Sequence, residues 1–219
     1  MPQKKSPLPQ NLDSLIFDLD GTLWDTMEAC AIAWNRVIQR NEIPFRSILP
    51  ADIRKVTGLA HEQCIRQVFA GLPEDTIKTL IQETMEEDNK VIAEMGGDLY
   101  PFVPEGLLKL SEKYPLFIVS NCQAGYIETF LKWSRLNHFK DFECWGNTGL
   151  NKDENLRNLI KRNHLISPLF IGDTEGDPAA ARACHIPFMH VEYGFGTCSD
   201  KDFAVKSFEE LTQRFFNFD

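Results

Sequence analysis

The sequence predicts an α/β fold: a doubly wound parallel sheet interrupted by an inserted helical-bundle domain. Three observations carry this expectation. Short apolar runs that read as buried strands alternate with segments of helical periodicity, the pattern of a parallel sheet covered on both faces. Polar residues recur where those runs end, and open parallel sheets bind ligands at the carboxyl ends of their strands. Finally, residues 21–115 separate the first strand from the second, far more chain than a crossover helix needs.

The first strand is expected over 14–19, around Leu15-Ile16-Phe17. It delivers Asp18 and Asp20 to one side of an extended backbone, with no Lys or Arg near them in sequence. The long interval then reads as helical. Residues 26–40 carry Met27, Ala31, Trp34 and Ile38 at helical spacing; 50–56 and 61–69 are shorter helices. Residues 73–93 carry Ile77, Leu80, Ile81 and Met85, and the acidic run from Glu83 to Asp88 reads as an exposed face. An inserted domain is therefore expected over 26–98, hinged near Leu23-Trp24-Asp25 and Gly96-Gly97-Asp98, with a core domain formed by 1–25 and 99–219. Emerging at the carboxyl edge of the first strand, the insertion would sit over the two acids, a position that suits a lid.

The core resumes with a helix over 104–113, opened by a proline at its first position. Strands follow at 114–120, 142–145, 168–173 and 187–191, with helices at 125–133, 152–163, 178–185 and 208–216 between and after them.

Composition narrows the function class. The chain of 219 residues has 23 Lys plus Arg against 32 Asp plus Glu, a net charge of −9, and no basic stripe, so nucleic acid is excluded as the expected main partner. The six cysteines show no paired spacing and sit mostly among apolar neighbours, which reads as reduced thiols rather than a disulfide framework or a zinc site. Residues 1–10 are polar and proline-rich, without the apolar core of a signal segment, and no run is long enough to span a membrane. The expectation is a cytoplasmic protein with a frayed N-terminal tail, monomeric or a weak homodimer, without membrane or nucleic-acid partners.

Four clusters fall at or just after strand ends: Asp18 and Asp20 with Gly21-Thr22, Ser120-Asn121, Lys152 at a helix start, and Gly172-Asp173-Thr174-Glu175-Gly176-Asp177. Each alone reads as a turn or a helix cap. Together, in parallel-sheet register, they place several acids, a lysine and a hydroxyl at one sheet edge. That set fits phosphoryl transfer through a carboxylate. Three acids form a hard oxygen site suited to Mg²⁺. One carboxylate attacks phosphorus, a second two residues on protonates the leaving oxygen and then activates water, and the hydroxyl, the ammonium and loop N–H groups hold the equatorial oxygens.

The four motifs resemble those of the haloacid dehalogenase superfamily, in its phosphatase branch with a helical cap and closest in style to phosphoglycolate phosphatases. Phe17-Asp18-Leu19-Asp20-Gly21-Thr22-Leu23 resembles the first motif, Val119-Ser120-Asn121 the second, Lys152 the third, and Gly172 to Asp177 the fourth. The resemblance implies a Rossmann-like core with the cap inserted between the first two motifs. It implies Asp18 as nucleophile, Asp20 as general acid and base, and Lys152 as the catalytic cation. It places Mg²⁺ on Asp18, the main-chain carbonyl of Asp20, and Asp173. Asp177 would position Asp173, Lys152 or a metal-bound water. Gly21, Thr22, Ser120 and Asn121 would contact the phosphoryl group or shape its pocket, and His61 would reach the substrate from the cap, beside Arg54 and Lys55. The substrate implied is a small phosphomonoester, phosphoglycolate-like or a sugar phosphate.

Two departures stand out. Asp153 follows Lys152 where many relatives have proline, and Phe102 stands where many have glycine, a ring expected to narrow the cleft. Asp20 argues against a dehalogenase, because a halide leaving group needs no proton. A phosphosugar mutase shares the constellation but often carries a cap arginine where this chain has His61. A non-enzymatic binder would be expected to have lost one of Asp18, Asp20, Lys152 and Asp173, and all four are present. A calcium loop fails because its sixth and twelfth positions, counted from Asp18, are Leu23 and Ala29.

Overall fold

A computed structural model describes residues 7–216. The elements in chain order are β1 (Ser14–Phe17), β2 (Trp24–Asp25), α1 (Met27–Arg40), α2 (Pro50–Arg54), α3 (His61–Val68), α4 (Glu74–Met95), β3 (Asp98–Leu99), α5 (Val103–Ser111), β4 (Leu116–Ser120), α6 (Tyr126–Ser134), β5 (Phe139–Cys144), α7 (Trp145–Thr148), α8 (Lys152–Arg162), β6 (Pro168–Gly172), α9 (Gly176–Ala183), β7 (Phe188–Val191), β8 (Phe203–Val205) and α10 (Phe208–Phe216).

Six strands form one parallel sheet in the order β5-β4-β1-β6-β7-β8. β1 is central: Phe17 pairs with Ile118 of β4 on one side and Ile171 of β6 on the other. The strand order reverses direction there, which is the switch point where such sheets hold ligands. The period-two alternation of side chains sorts the core into two layers. Leu15, Phe17, Ile118 and Ile171 pack with Leu107, Leu110 and Leu211 of α5 and α10. Ile16, Phe117 and Phe170 pack on the other face with Leu156, Leu159 and Ala180 of α8 and α9. Near-continuous apolar strands are what two covered faces require.

The insertion is an antiparallel pair of long helices, α1 and α4, flanked by α2 and α3. Where the chain leaves and re-enters the core, Trp24 and Asp25 of β2 pair antiparallel with Leu99 and Asp98 of β3. The two expected hinges are thus one short ribbon. Trp24 is fully buried there, packed edge-on against Tyr126 and Phe130.

Several expectations change. The run from Glu83 to Asp88 is not an exposed face. Arg36 and Arg40 of α1 bridge to Glu83 and Glu87, and Asp88 is buried with Trp34 Nε1 donating to it at 3.2 Å. The first strand stops at Phe17, because the amides of Thr22 and Leu23 both fold back onto the Leu19 carbonyl. β8 and α7, of three and four residues, are too short to show a period in sequence. Of the expected N-terminal tail, residues 1–6 lie outside the described residues, whereas Leu8 is buried and packs into the core. All six cysteines are free thiols, five of them buried. No helix among the described residues is long and apolar enough to cross a membrane.

Candidate active site

The carboxyl ends of β1 and β4 converge with the start of α8 on one cavity of about 80 Å³, lined on its other side by the helical insertion; Asp173 and Asp177, after β6, stand beside Asp18 and Lys152 without lining it. Asp18, Asp20, Ser120, Asn121 and Lys152 line it from the sheet, and His61 lines it from α3.

Lys152 is the pivot. Its Nζ lies 2.9 Å from Asp18 Oδ1 and 2.7 Å from Asp177 Oδ1, and all three residues are buried. Burial works against the ammonium charge, but the Asp177 and Asp18 carboxylates hold its pKa well above the ordinary lysine value. Lys152 opens α8, and the amide of Asn151 donates to Glu154 Oε2 at 3.2 Å. That local cap replaces the proline of relatives at the helix entry.

Asp177 is fully committed. Its second oxygen, Oδ2, accepts from the amides of Asp173 and Thr174 at 3.1 and 2.9 Å and from the Thr174 hydroxyl at 2.9 Å. It therefore fixes both the loop after β6 and Lys152. Asp173 is held from two further directions: Thr22 Oγ1 donates to Oδ1 at 3.3 Å and the Phe195 amide to Oδ2 at 2.7 Å. Gly21 turns the chain under this carboxylate at φ +84°, and a Cβ there would fall 2.2 Å from Asp173 Oδ2. Gly194 crosses the other side as closely, with a Cβ falling 2.3 Å from Asp173 Cβ.

Asp20 sits in a separate polar network. Its Oδ1 accepts from Tyr126 OH at 2.7 Å and from Thr26 Oγ1 at 3.1 Å. Burial pushes its carboxyl up to about 6, against the pull of those hydrogen bonds. Burial likewise raises Asp18, with Asp177 adding to the rise and Lys152 opposing it. Asp173 is raised well above the usual carboxylate range by burial and by the negative charges of Asp18 and Asp177.

The donor set fits a hard divalent cation. One oxygen each from Asp18, Asp173 and Asp177 lie within 4.8 Å of one another. These three carboxylates face the single ammonium of Lys152, and Asp173 has no cation of its own among the described ion pairs. Asp18 and Asp173 are the better ligands of the three, because Asp177 gives Oδ1 to Lys152 and accepts three bonds at Oδ2, whereas each Asp173 oxygen accepts a single one. Oxygen-only donors carrying excess negative charge suit Mg²⁺.

Not every expected residue faces the cavity. Thr22 is fully buried and spends its hydroxyl on Asp173, while its carbonyl accepts from Tyr193 OH at 2.7 Å. Gly21 lies beneath Asp173 rather than along the cavity wall. Asn121 lines the cavity and also donates to the Gly58 carbonyl at 2.8 Å, joining sheet edge to insertion. His61 begins α3, is buried, and hydrogen-bonds Thr84 at 2.9 Å; burial lowers its pKa to about 4. Arg54 leans on the Phe195 ring and donates to the Gly194 carbonyl at 3.3 Å. Phe102 does not reach the cavity: its ring lies under Lys109, so the cleft is not narrowed.

Sequence reasoning missed Thr26, Tyr126, Gln123 and Asp88, which also line the cavity. Gln123 and Tyr126 follow Ser120-Asn121 by a few residues, and that closeness to a strand end was the available signal. Asp88 had none, since it is hidden in an acidic run.

Comparison with known proteins agrees with this geometry. Residues 15–191 match the family described as haloacid dehalogenase-like hydrolase. The phosphoglycolate phosphatase of Colwellia psychrerythraea is 27% identical over 206 residues, covering 87% of this chain and 89% of that protein. The phosphoglycolate phosphatase of Escherichia coli is 26% identical over 210 residues, covering 85% and 83%. Among solved structures, a haloacid dehalogenase-like family hydrolase from Streptococcus pneumoniae superposes with a TM-score of 0.81 at 22% identity, covering 93% of this chain and 98% of that one. With the family match spanning the whole site from β1 to β7, the chain belongs to the haloacid dehalogenase-like hydrolases.

Proposed function

We propose that the protein is a Mg²⁺-dependent phosphatase of small phosphomonoesters that works through an aspartyl-phosphate on Asp18, with α1–α4 acting as a cap over the site. The observation that carries this reading is the division of labour between Asp18 and Asp20. Asp18 is locked to the Lys152 ammonium, whereas Asp20 accepts from the hydroxyls of Tyr126 and Thr26. Two neighbouring carboxylates whose surroundings differ in this way suit a nucleophile and a general acid.

Lys152 favours the ionised form of Asp18. An Asp18 oxygen bonds to phosphorus as the bond to the leaving oxygen breaks, and that oxygen takes the proton from Asp20. An acyl phosphate remains on Asp18. Water then attacks phosphorus, Asp20 accepts its proton, and the Asp18 carboxylate leaves with inorganic phosphate released. The Ser120 hydroxyl and Lys152 ammonium, both of residues lining the cavity, would hold phosphoryl oxygens as charge shifts. Asp18, Asp173 and the Asp20 carbonyl would hold Mg²⁺, which when bound neutralises charge on the phosphoryl group. Asp20 favours phosphate over halide chemistry, since only the former needs a proton donor.

Phosphate release from an aryl phosphate tests this. Activity should require Mg²⁺, vanish with EDTA, and fall at least about a thousandfold in Asp18→Asn. Full activity in that variant would sink the mechanism.

A further inference from the structure

Two residues lining the cavity carry unmet polar atoms. Asp88 Oδ1 and Gln123 Nε2 are buried without hydrogen-bond partners, although both residues line the cavity. They come from different parts of the fold: Asp88 from α4 in the insertion, Gln123 from the loop after β4. Both are nearly sealed, at 2% and 3% exposure. Buried polar atoms are normally paired, so such orphans call for a partner. Around them the wall is largely apolar, with Met27, Ile53, Val56 and Leu59 among its residues.

The charges narrow what that partner is. Among the described residues lining the cavity, Lys152 is the only Lys or Arg, and it is already paired with Asp18 and Asp177. His61, the other basic side chain there, is held neutral near pH 7 by burial. A carboxylate on the leaving group would be buried with no unpaired cation to meet it, an expensive placement. An ammonium would meet only the acceptor and leave Gln123 unmatched. Burial also raises Asp88 well above the ordinary carboxylate range, which removes much of its pull on a cation. A hydroxyl both donates and accepts, so hydroxyls match both groups. The cavity holds roughly five to eight water-sized groups, at about 10–15 Å³ each in about 80 Å³. That is room for a phosphoryl group and a short leaving group.

We propose that this site selects phosphomonoesters of short, neutral, hydroxyl-bearing alcohols, whose hydroxyls pair with Asp88 and Gln123, and that it rejects leaving groups bearing a carboxylate. The proposal rests on the phosphatase reading above and narrows its substrate class. It separates this chain from the relatives named for phosphoglycolate.

The test is a matched panel read as kcat/KM with Mg²⁺: 2-hydroxyethyl phosphate, 2-phosphoglycolate and phosphoethanolamine at two carbons, glycerol 3-phosphate and 3-phosphoglycerate at three, and an aryl phosphate as reporter. The hydroxyl member should exceed its carboxylate counterpart at least tenfold at one or both lengths, and exceed phosphoethanolamine. Asp88→Leu should cut the hydroxyl-to-carboxylate ratio at least tenfold. Gln123→Leu, made independently in case the first variant fails to fold, should lower it in the same direction. Preference for a carboxylate or amine ester, or a ratio unmoved in folded variants, overturns the proposal while leaving the phosphatase intact. Absence of turnover on every ester, the aryl phosphate included, overturns the phosphatase reading itself and this proposal with it.

Discussion

The floor and the roof of the cavity are built by opposite rules. On the floor every acid is tied: Asp18 and Asp177 to Lys152, Asp173 to Thr22 and the Phe195 amide, Asp20 to Tyr126 and Thr26. On the roof the polar contacts are few: His61 bonds Thr84, Asp88 accepts from Trp34 Nε1, and Asp88 Oδ1 is unpaired. A dense polar network fixes geometry, because moving one member disturbs all the others. A sparse one leaves groups waiting for a ligand. On the functions proposed above, the tied floor would serve the reaction, while the unpaired groups that insertion and core contribute, Asp88 and Gln123, would serve the choice of substrate.

The largest expected effect breaks the floor. Lys152→Met leaves Asp18 and Asp177 buried without their shared cation. Removing one partner of a buried ion pair costs about 3–5 kcal/mol. Denaturant unfolding at pH 7 should show a loss of that order, and kcat on an aryl phosphate should fall at least about a hundredfold. Unchanged stability would mean that the three acids do not carry the charge assigned to them.

A middling effect reads the roof. Burial lowers the folded-state pKa of His61 to about 4, from the ordinary value of 6.5. Between these limits the unfolded chain binds the proton more readily, so this contribution to stability is complete above about pH 6.5 and is lost as pH falls toward 4. Its size is on the order of 3 kcal/mol at full loss, from 1.36 kcal/mol per unit. Asp88, 3.8 Å away and shifted up by burial, contributes with opposite sign. The difference between wild type and His61→Gln therefore isolates the histidine. Unfolding measured at pH 7 and at pH 5 should show a smaller acid loss in the variant. Parallel pH curves would refute a buried neutral imidazole.

How much was legible in sequence follows the same division. Asp18, Asp20, Ser120, Lys152 and Asp173 stand at strand ends, and strands announce themselves by apolar runs such as Leu15-Ile16-Phe17 and Leu169-Phe170-Ile171. Alternation then places those ends on one edge without further information. Roof residues lack that anchor. Whether Asp88 faces solvent or the cavity depends on how α4 is rotated against α1, a matter of packing between helices 54 residues apart at the Trp34–Asp88 contact. An acidic run reads as solvated by default, and only the tertiary contact reverses it. Thr22 shows the limit on the floor as well. Its motif position was legible, but not that its hydroxyl would turn down to Asp173 instead of toward the cavity.

The smallest expected effect lies outside both regions and serves as their control. Phe102 caps α5 in the left-handed conformation, at φ +70°. A side chain there costs about 1–2 kcal/mol, which glycine would avoid. Glycine in turn gives back about 0.5–1 kcal/mol through the greater freedom of the unfolded chain. Phe102→Gly also gives up the contact of the ring with the Lys109 ammonium, 5.3 Å from its centroid, a half-exposed pair worth about 0.5 kcal/mol. The net change in stability should be small, between a loss of about 0.5 and a gain of about 1 kcal/mol by denaturant unfolding. Because the ring does not line the cavity, kcat and KM should be unchanged. A shift in KM would place Phe102 within reach of substrate and restore the expectation, drawn from the glycine of relatives, that its ring narrows the cleft.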